Sequence, residues 1–190
     1  MQEDGSLSFI TKLFILLCIA TSTIQASVYD DDTLTIFAKI IPRMVLMSSQ
    51  KEQIKETIDI CIASDKIDER TALSLMDKIE STYPNGITNH PLKLINTAYS
   101  TMEKCQNSQL IFLLDTNDKN IAKALQYAYD HTALTMSYDP KYLENGVESS
   151  LFLGRKVTPY LNITALRKNG VEIDNLLVRI SKIYLYEGEK

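Results

Sequence analysis

The sequence contains no tryptophan, only two histidines and only six glycines in 190 residues. Because the glycines are few and scattered, they assemble neither a phosphate-binding P-loop nor a dinucleotide-binding fingerprint. The two histidines, His90 and His131, have no second histidine, cysteine or carboxylate at metal-ligand spacing, so a zinc site is not expected. A net positive charge is also lacking, because acidic residues outnumber basic ones and the net charge is −4. This disfavours binding to the phosphate backbone of nucleic acid. No serine stands in a nucleophile-elbow context, and we therefore predict neither an enzyme nor a cofactor.

Long hydrophobic runs are absent apart from one short stretch near the start of the chain. Leu13–Ala20 follows Lys12 and precedes small and polar residues up to Ala26, which is typical of an export signal. We predict a signal peptide over residues 1–26, cleaved after Ala26. An uncleaved anchor is the alternative, but the apolar stretch is shorter than the ~20 residues that span a bilayer. Cys18 suggests a lipoprotein, yet leucines precede it where such a signal needs small residues.

Cysteine is scarce as well, and two cysteines remain after the predicted leader. Cys61 lies in the predicted strand 58–63, and Cys105 precedes the predicted strand 110–114. Neighbouring strands can bring such positions within bonding reach, and an exported protein enters an oxidising compartment. A Cys61–Cys105 disulfide is therefore expected. The alternative is a pair of unbonded cysteines that act as small hydrophobic side chains.

Short apolar runs alternate with segments of helical periodicity from Thr57 onward. This alternation is typical of a single α/β domain with a mostly parallel sheet flanked by helices. With 45% hydrophobic residues the chain can bury one core, so we assign residues 27–190 to one domain. Further strands are predicted at 92–95 and 133–136, and helices at 69–83, 98–104 and 118–129.

The C-terminal third predicts a β-hairpin followed by two helices. The hairpin covers residues 147–162 and turns at Gly154. The first helix begins near Asn162 or Thr164 and ends at Asn169-Gly170, residue types that tolerate a left-handed backbone. A last amphipathic helix is expected to close the domain against the core, on the helical spacing of Leu176, Leu177, Ile180, Ile183 and Tyr184.

Three segments of the sequence carry a family pattern. The hairpin ends in the leucine-asparagine pair 161–162, and the helix after it ends in the asparagine-glycine pair 169–170. The segment 36–39 opens a helix with an aromatic residue, alanine and lysine, and the segment 105–113 places a cysteine shortly before a buried strand. Together these segments resemble the YfiR-like family of small exported signalling proteins. The chain departs from the family at 43–44, where a tryptophan-proline pair is usual.

The resemblance implies a function that the composition does not give. YfiR-like proteins are exported regulators that bind the extracytoplasmic part of a membrane signalling enzyme. We therefore expect a non-enzymatic periplasmic protein that binds the periplasmic part of an inner-membrane diguanylate cyclase or histidine kinase. It would repress or modulate that enzyme, and with a cyclase it would regulate cyclic-di-GMP. Family resemblance also suggests a homodimer.

A candidate ligand crevice follows the predicted strands 110–114 and 133–136. Asp115, Asn117 and Asp118 follow the first of these strands, and Tyr138 and Asp139 follow the second. Ligands of open α/β sheets bind at the carboxyl ends of the strands, which is where these residues are expected. A helix cap explains the polar residues after the first strand equally well. The crevice supports the alternative function, a freestanding periplasmic module that binds a small molecule.

Overall fold

Seven strands form one sheet in the computed structural model, which describes residues 29–184. The predicted signal peptide lies outside the described residues. The strands follow one another across the sheet in the order β2-β1-β3-β4-β5-β6-β7. Their bounds are Ile58–Ser64 (β1), Leu92–Ala98 (β2), Leu110–Leu113 (β3), Leu134–Ser137 (β4), Ser149–Leu153 (β5), Val157–Asn162 (β6) and Lys182–Tyr184 (β7).

The sheet is mostly parallel. β1 pairs in parallel with β2 on one side and with β3 on the other, and the parallel pairing continues through β4 to β5. β5 and β6 form the antiparallel hairpin, and β7 adds to β6 in parallel. Every residue of β1, β3 and β4 is buried, as expected for central strands covered on both faces. The predicted single α/β domain with a C-terminal hairpin is confirmed.

Helices cover both faces of this sheet. The α-helices span Asp31–Leu46 (α1), Glu69–Thr82 (α2), Asp118–Asp130 (α3), Ile163–Asn169 (α4) and Asn175–Ile180 (α5). Short 3₁₀ helices lie at Ser49–Gln53, Lys66–Asp68, Met102–Cys105 and Pro140–Leu143. The helix predicted at 98–104 is therefore only the 3₁₀ turn Met102–Cys105, because Ala98 still pairs with Ser64 in the sheet.

The core has one apolar layer on each face of the sheet. On the first face, Phe37 of α1 packs edge-on against Phe112 of β3, with ring centroids 5.1 Å apart. On the second face, Ile121 and Ala124 of α3 are fully buried with Cys61 of β1 and the 3₁₀ turn that holds Cys105. The sheet therefore has helices packed on both of its faces.

The connection after the hairpin forms as predicted. Asn162 caps α4, because its side-chain oxygen accepts a hydrogen bond from Ala165 N at 3.0 Å. Gly170 ends the helix with φ 71°, a left-handed conformation that glycine adopts without a steric penalty.

The prediction for the last helix is wrong in part. α5 ends at Ile180, and Ser181 stops it: the Ser181 side chain donates to Leu177 O at 2.6 Å, and its N–H bonds Val178 O. Ile183 lies in β7 instead, opposite Leu161. Only Leu177 of the predicted apolar stripe is buried in α5. The helix therefore does not close the domain with its whole apolar stripe.

Candidate functional site

The polar residues at the carboxyl edge of the sheet come from the segments that follow β1, β3 and β4. In a parallel sheet of order 2-1-3-4-5, the chain leaves β1 toward one face and leaves β3 toward the other, so a crevice opens between them. Asp65 follows β1 directly, and the segment from Asp115 to Asn117 connects β3 to α3. The geometry at this switch point decides whether the edge forms a binding site.

Asp65 hydrogen-bonds across the switch point to two uncharged side chains. Its carboxylate accepts hydrogen bonds from the Thr116 hydroxyl at 2.5 Å and from the Asn120 side-chain amide at 3.1 Å. The same amide donates to the Thr116 hydroxyl oxygen at 2.9 Å. The three side chains form a triangle that ties the segment after β1 to the start of α3.

A second cluster lies around Asp115 at the end of β3. Its carboxylate accepts hydrogen bonds from the Lys141 ammonium at 2.7 Å and from the Tyr142 hydroxyl. The same hydroxyl accepts from Thr116 N at 2.9 Å and lies 2.5 Å from Thr116 O. Tyr142 is 1% exposed, so the 3₁₀ turn after β4 is anchored in the core beneath the cluster. Lys141 also pairs with Asp139 at 3.2 Å.

The protonation states in this cluster are fixed at neutral pH. Burial raises the pKa of Asp115, but the hydrogen bonds from Lys141 and Tyr142 and the Lys141 charge outweigh burial and lower it overall. The hydrogen bond to Asp115 raises the pKa of Lys141, and burial raises the pKa of Tyr142. A general acid or base needs a pKa near the working pH. At neutral pH these three groups therefore hold the edge together as an ionised carboxylate, an ammonium and a neutral phenol.

The structure brings only some of the predicted crevice residues together. Asp115 and Asp139 meet through Lys141. Asn117 caps α3 by accepting from Asn120 N at 3.0 Å, as the cap alternative requires. Asp118 is the exposed first residue of that helix.

Tyr138 stands apart from the other predicted residues. Its ring packs against Phe37 of α1, with centroids 5.3 Å apart, on the first face of the sheet. Tyr142 lies in the core cluster of the second face. A ligand in contact with all the predicted residues is therefore not supported by the geometry, and binding by Asp115 and its neighbours stays a prediction.

The sequence prediction did not include Asp65 or Asn120 at this edge, and it did not single out Thr116 within the segment 115–118. A signal for Asp65 was present, because it follows the buried strand β1 just as Asp115 follows β3. Carboxyl ends of parallel strands meet at one edge, so the two aspartates belong to the same edge. The position of Asn120 in the first turn of α3 depends on how the helix packs, which the sequence does not show.

A cavity of about 460 Å³ opens beside Asp65, between the ends of β1 and β2. Its walls carry charges of both signs, from Asp65 and Glu69 and from Lys66 and Lys104. Asn96 also lines it, with a buried side-chain oxygen that has no hydrogen-bond partner among the described residues. The volume is in the range of small-molecule sites. The space at this edge thus lies next to the predicted crevice, on its β2 side.

Tyr142→Phe is expected to lower the free energy of unfolding by about 1–3 kcal/mol, because Thr116 N–H and Asp115 each lose a partner at a partly buried site. Urea denaturation measures the change. Tyr129→Phe is the matched control: Tyr129 is 50% exposed, and its change should stay within about 0.5 kcal/mol. Equal effects of the two substitutions would contradict an anchoring role for the Tyr142 hydroxyl.

The predicted disulfide is present on the second face of the sheet. Cys61 in β1 and Cys105 in its 3₁₀ turn are bonded, with their Cα atoms 5.4 Å apart. Both are buried, together with Tyr99 and Met102. The bond joins the connection between β2 and β3 to β1.

Exposed apolar side chains are concentrated in the part of the molecule around β5, β6 and β7, on the side of the sheet away from β2. Six of the nine large hydrophobic side chains that are exposed in residues 29–184 lie between positions 152 and 183. Leu153 pairs directly with Val157 across the hairpin, and Ile183 pairs with Leu161, which shares the face of Val157. Leu153, Val157 and Ile183 are each about two-fifths exposed. We call these three residues the hairpin surface.

The fold and the strand-end site define an α/β protein with a doubly wound parallel sheet, an added hairpin, and a polar edge held by fixed charges. The chain belongs to the YfiR/HmsC-like family, whose model matches residues 45–182. This confirms the family that the three sequence segments suggested. Members of the family are periplasmic regulators rather than enzymes, and they interact with membrane signalling proteins.

Solved structures with the same fold have very different sequences. A conserved domain protein from Vibrio cholerae O1 biovar El Tor strain N16961 is 15% identical, with a TM-score of 0.58 over 79% of this chain and 59% of that one. The ABC domain from Streptococcus pneumonia in complex with L-Trp is 5% identical, with a TM-score of 0.56 over 80% and 60%. The chain thus spans about three-fifths of each. No curated protein matches it.

Two kinds of feature are absent from residues 29–184. Between residues 29 and 184, no helix has both the length and the apolar character needed to cross a bilayer. Within the same range, no three histidine, cysteine or acidic side chains are grouped so that they could hold a metal ion.

Proposed function

We propose that the protein is an exported regulator that binds the periplasmic part of an inner-membrane signalling enzyme, a diguanylate cyclase or a histidine kinase. The family match over residues 45–182 carries this proposal. A protein that acts by binding changes its partner only through different affinities for the partner's two states. Bound to the inactive state, it represses the enzyme, and an envelope signal that weakens binding releases it.

The hairpin surface is our proposed contact with the partner. The buried cores of protein interfaces are apolar, and Leu153, Val157 and Ile183 present apolar side chains on one face. β7 adds a second feature, because in the described part of the chain it has a neighbouring strand on one side only. An extended segment of a partner can hydrogen-bond to such an edge while its side chains contact the adjoining face.

Site-specific photo-cross-linking in cells tests this contact. A photoreactive amino acid at Val157 is expected to capture an inner-membrane cyclase or kinase, identified by mass spectrometry. Ile67 is the matched control position, since it is apolar and 71% exposed but lies in the 3₁₀ helix after β1. Capture of the same enzyme from both positions, or of none from Val157, contradicts the proposed surface. Capture of a second copy of the chain from Val157 would instead assign the surface to the homodimer that the family suggests.

The alternative function is a freestanding periplasmic module that binds a small molecule. The cavity of about 460 Å³ beside Asp65 favours it, since that cavity lies at the edge where doubly wound sheets bind ligands. A thermal-shift screen of metabolites on the purified protein separates the two functions. A metabolite that stabilises the wild type but not Asp65→Ala would support the module, and its absence leaves the regulator as the sole proposal.

A further inference from the structure

A second and larger cavity, of about 570 Å³, lies away from the strand-end edge, on the second face of the sheet. Its walls come from α3, from the loop before β5, from β4 and from α4. Ala122 and Leu125 of α3 and Ala165 of α4 give it an apolar lining. Its volume lies within the range of small-molecule sites. Neither the family match nor the crevice predicted from the sequence refers to this cavity.

A buried carboxylate lines this cavity. Glu148 stands directly before β5 and is 2% exposed. One of its oxygens, Oε2, accepts hydrogen bonds from Thr135 N at 2.6 Å and from the Thr135 hydroxyl at 3.0 Å. The other oxygen, Oε1, has no hydrogen-bond partner among the described residues. A buried acceptor without a partner costs free energy, more so when it is charged.

A second acceptor without a partner lines the same cavity. Asn169 donates its side-chain N–H to Ala133 O at 2.9 Å, which leaves its oxygen Oδ1 unpaired in residues 29–184. Burial raises the pKa of Glu148 to about 7, and the hydrogen bonds from Thr135 and an interaction with the Asn169 side-chain amide oppose that rise. The cavity wall therefore offers two buried oxygens without a partner, whereas each buried side-chain nitrogen of its described residues has one. Lys168, the one cation among the lining residues, is exposed.

The chemistry of the wall selects its ligand. A group with several N–H donors and no acceptor pairs with both oxygens, and an ammonium group has three donors and none of the competing lone pairs. Its positive charge also compensates the buried carboxylate, which a hydroxyl or an amide would not do. Apolar side chains around the carboxylate accommodate a hydrocarbon body, and the partly exposed Tyr129 ring lies at the same cavity.

We propose that this cavity is a binding site for a small organic amine, whose ammonium group pairs with Glu148 Oε1 and Asn169 Oδ1 and whose apolar body lies against α3 and α4. The site does not depend on the proposed partner, because it is formed within one chain. It is also separate from the cavity beside Asp65.

Calorimetric titration of the purified protein with propylamine, phenethylamine and 1,4-diaminobutane tests the site. At least one amine is expected to bind the wild type, and Glu148→Gln should weaken that binding by about 10- to 100-fold, as for the loss of a charge-assisted hydrogen bond. Glu80→Gln removes the same charge from an exposed position on α2 and should leave the affinity unchanged. 2-Phenylethanol, which has no charge, should not bind.

A steric variant and a pH series complete the test. Ala165→Leu narrows the cavity while Glu148 remains, and should likewise weaken binding. The affinity for the amine should rise with pH as Glu148 ionises. Glu144, Lys168 and Tyr129 are the other charged or titratable residues that line the cavity. Because Glu148→Gln leaves these three residues in place, loss of the rise in that variant assigns the pH dependence to Glu148. The proposal is overturned if none of the amines binds at concentrations up to about 10 mM, or if an amine binds the wild type and Glu148→Gln equally.

Discussion

Removal of the Cys61–Cys105 disulfide is expected to lower the free energy of unfolding by about 4 kcal/mol, the largest effect that we predict for a change at one site. The two cysteines are 44 positions apart, so the bond closes a long loop in the unfolded chain. Restricting that loop reduces the conformational entropy of the unfolded state, which is the main source of the stabilisation in the chain-entropy account.

Two measurements separate the bond from its side chains. Urea denaturation of the wild type with and without dithiothreitol reports the bond alone. The double variant Cys61→Ala/Cys105→Ala adds a packing loss, since both positions are buried, but it should not respond to dithiothreitol. A wild type that is equally stable with and without reductant would contradict the prediction.

The disulfide also provides a lever for the proposed regulator. We expect reduction of the bond to loosen the sheet and with it the hairpin surface that the partner contacts. The reduced protein should then capture less of the partner from the photoreactive position Val157. Cys61→Ser is expected to show the same loss. A Cys61→Ser variant with unchanged stability and unchanged capture would remove redox control from the proposal, and would leave the partner contact itself untouched.

Glu148→Gln is expected to stabilise the protein by about 3 kcal/mol at pH 8 and by little near pH 4. Burial raises the pKa of Glu148 from an ordinary 4.5 to about 7, so the folded state binds this proton more tightly than the unfolded state. The contribution of that proton to stability is fully present below about pH 4.5, decreases as the pH rises, and is lost above about pH 7. Glutamine stays uncharged and avoids the loss.

The difference between two proteins isolates this group from every other titrating side chain. The free energy of unfolding is measured for the wild type and Glu148→Gln between about pH 4 and pH 8, and the two curves should diverge as the pH rises. Glu80→Gln, exposed on α2, should run parallel to the wild type. Parallel curves for Glu148→Gln as well would show that the carboxyl ionises freely in the folded protein.

The central part of the fold could be predicted because its signals are local. The apolar runs of β1, β3 and β4 are buried on both faces, so each reads as a strand regardless of its neighbours. Asn162 and Gly170 mark the two ends of α4 through properties of their own side chains and backbone. The disulfide followed from the number of cysteines and the expected compartment.

The end of the chain could not be predicted because its signals conflict. Ile183 fits the helical spacing of Leu176 and Ile180, but Ser181 ends the helix and pairing with β6 determines the strand. Such pairing is a tertiary effect that overrides local pattern. As a result, two residues expected in the core, Leu176 and Ile180, are more than half exposed.

The polar cluster at the strand ends could be predicted from the sequence, whereas the cavity at Glu148 could not. Asp115 could be placed at the strand ends from the order of strands and helices, and Asp65 could have been placed by the same rule. Glu148 gave no signal, since it reads as one polar residue at the start of a hairpin. Its burial arises from the packing of α3 and α4 over β4 and β5, and only the folded chain shows it.

The segment after α4 has a consequence for how the molecule forms. Ile173 bridges to Ser48, and the backbone of Glu172 and Asp174 hydrogen-bonds to Ser49 and Met47 just after α1, so these contacts join positions more than 100 residues apart. Because chains rich in such distant contacts fold slowly, this protein should be slow to reach its native state. In a chain that is made N-terminus first, the contacts of the residues just after α1 with this segment cannot form until the last fifth of the chain is available.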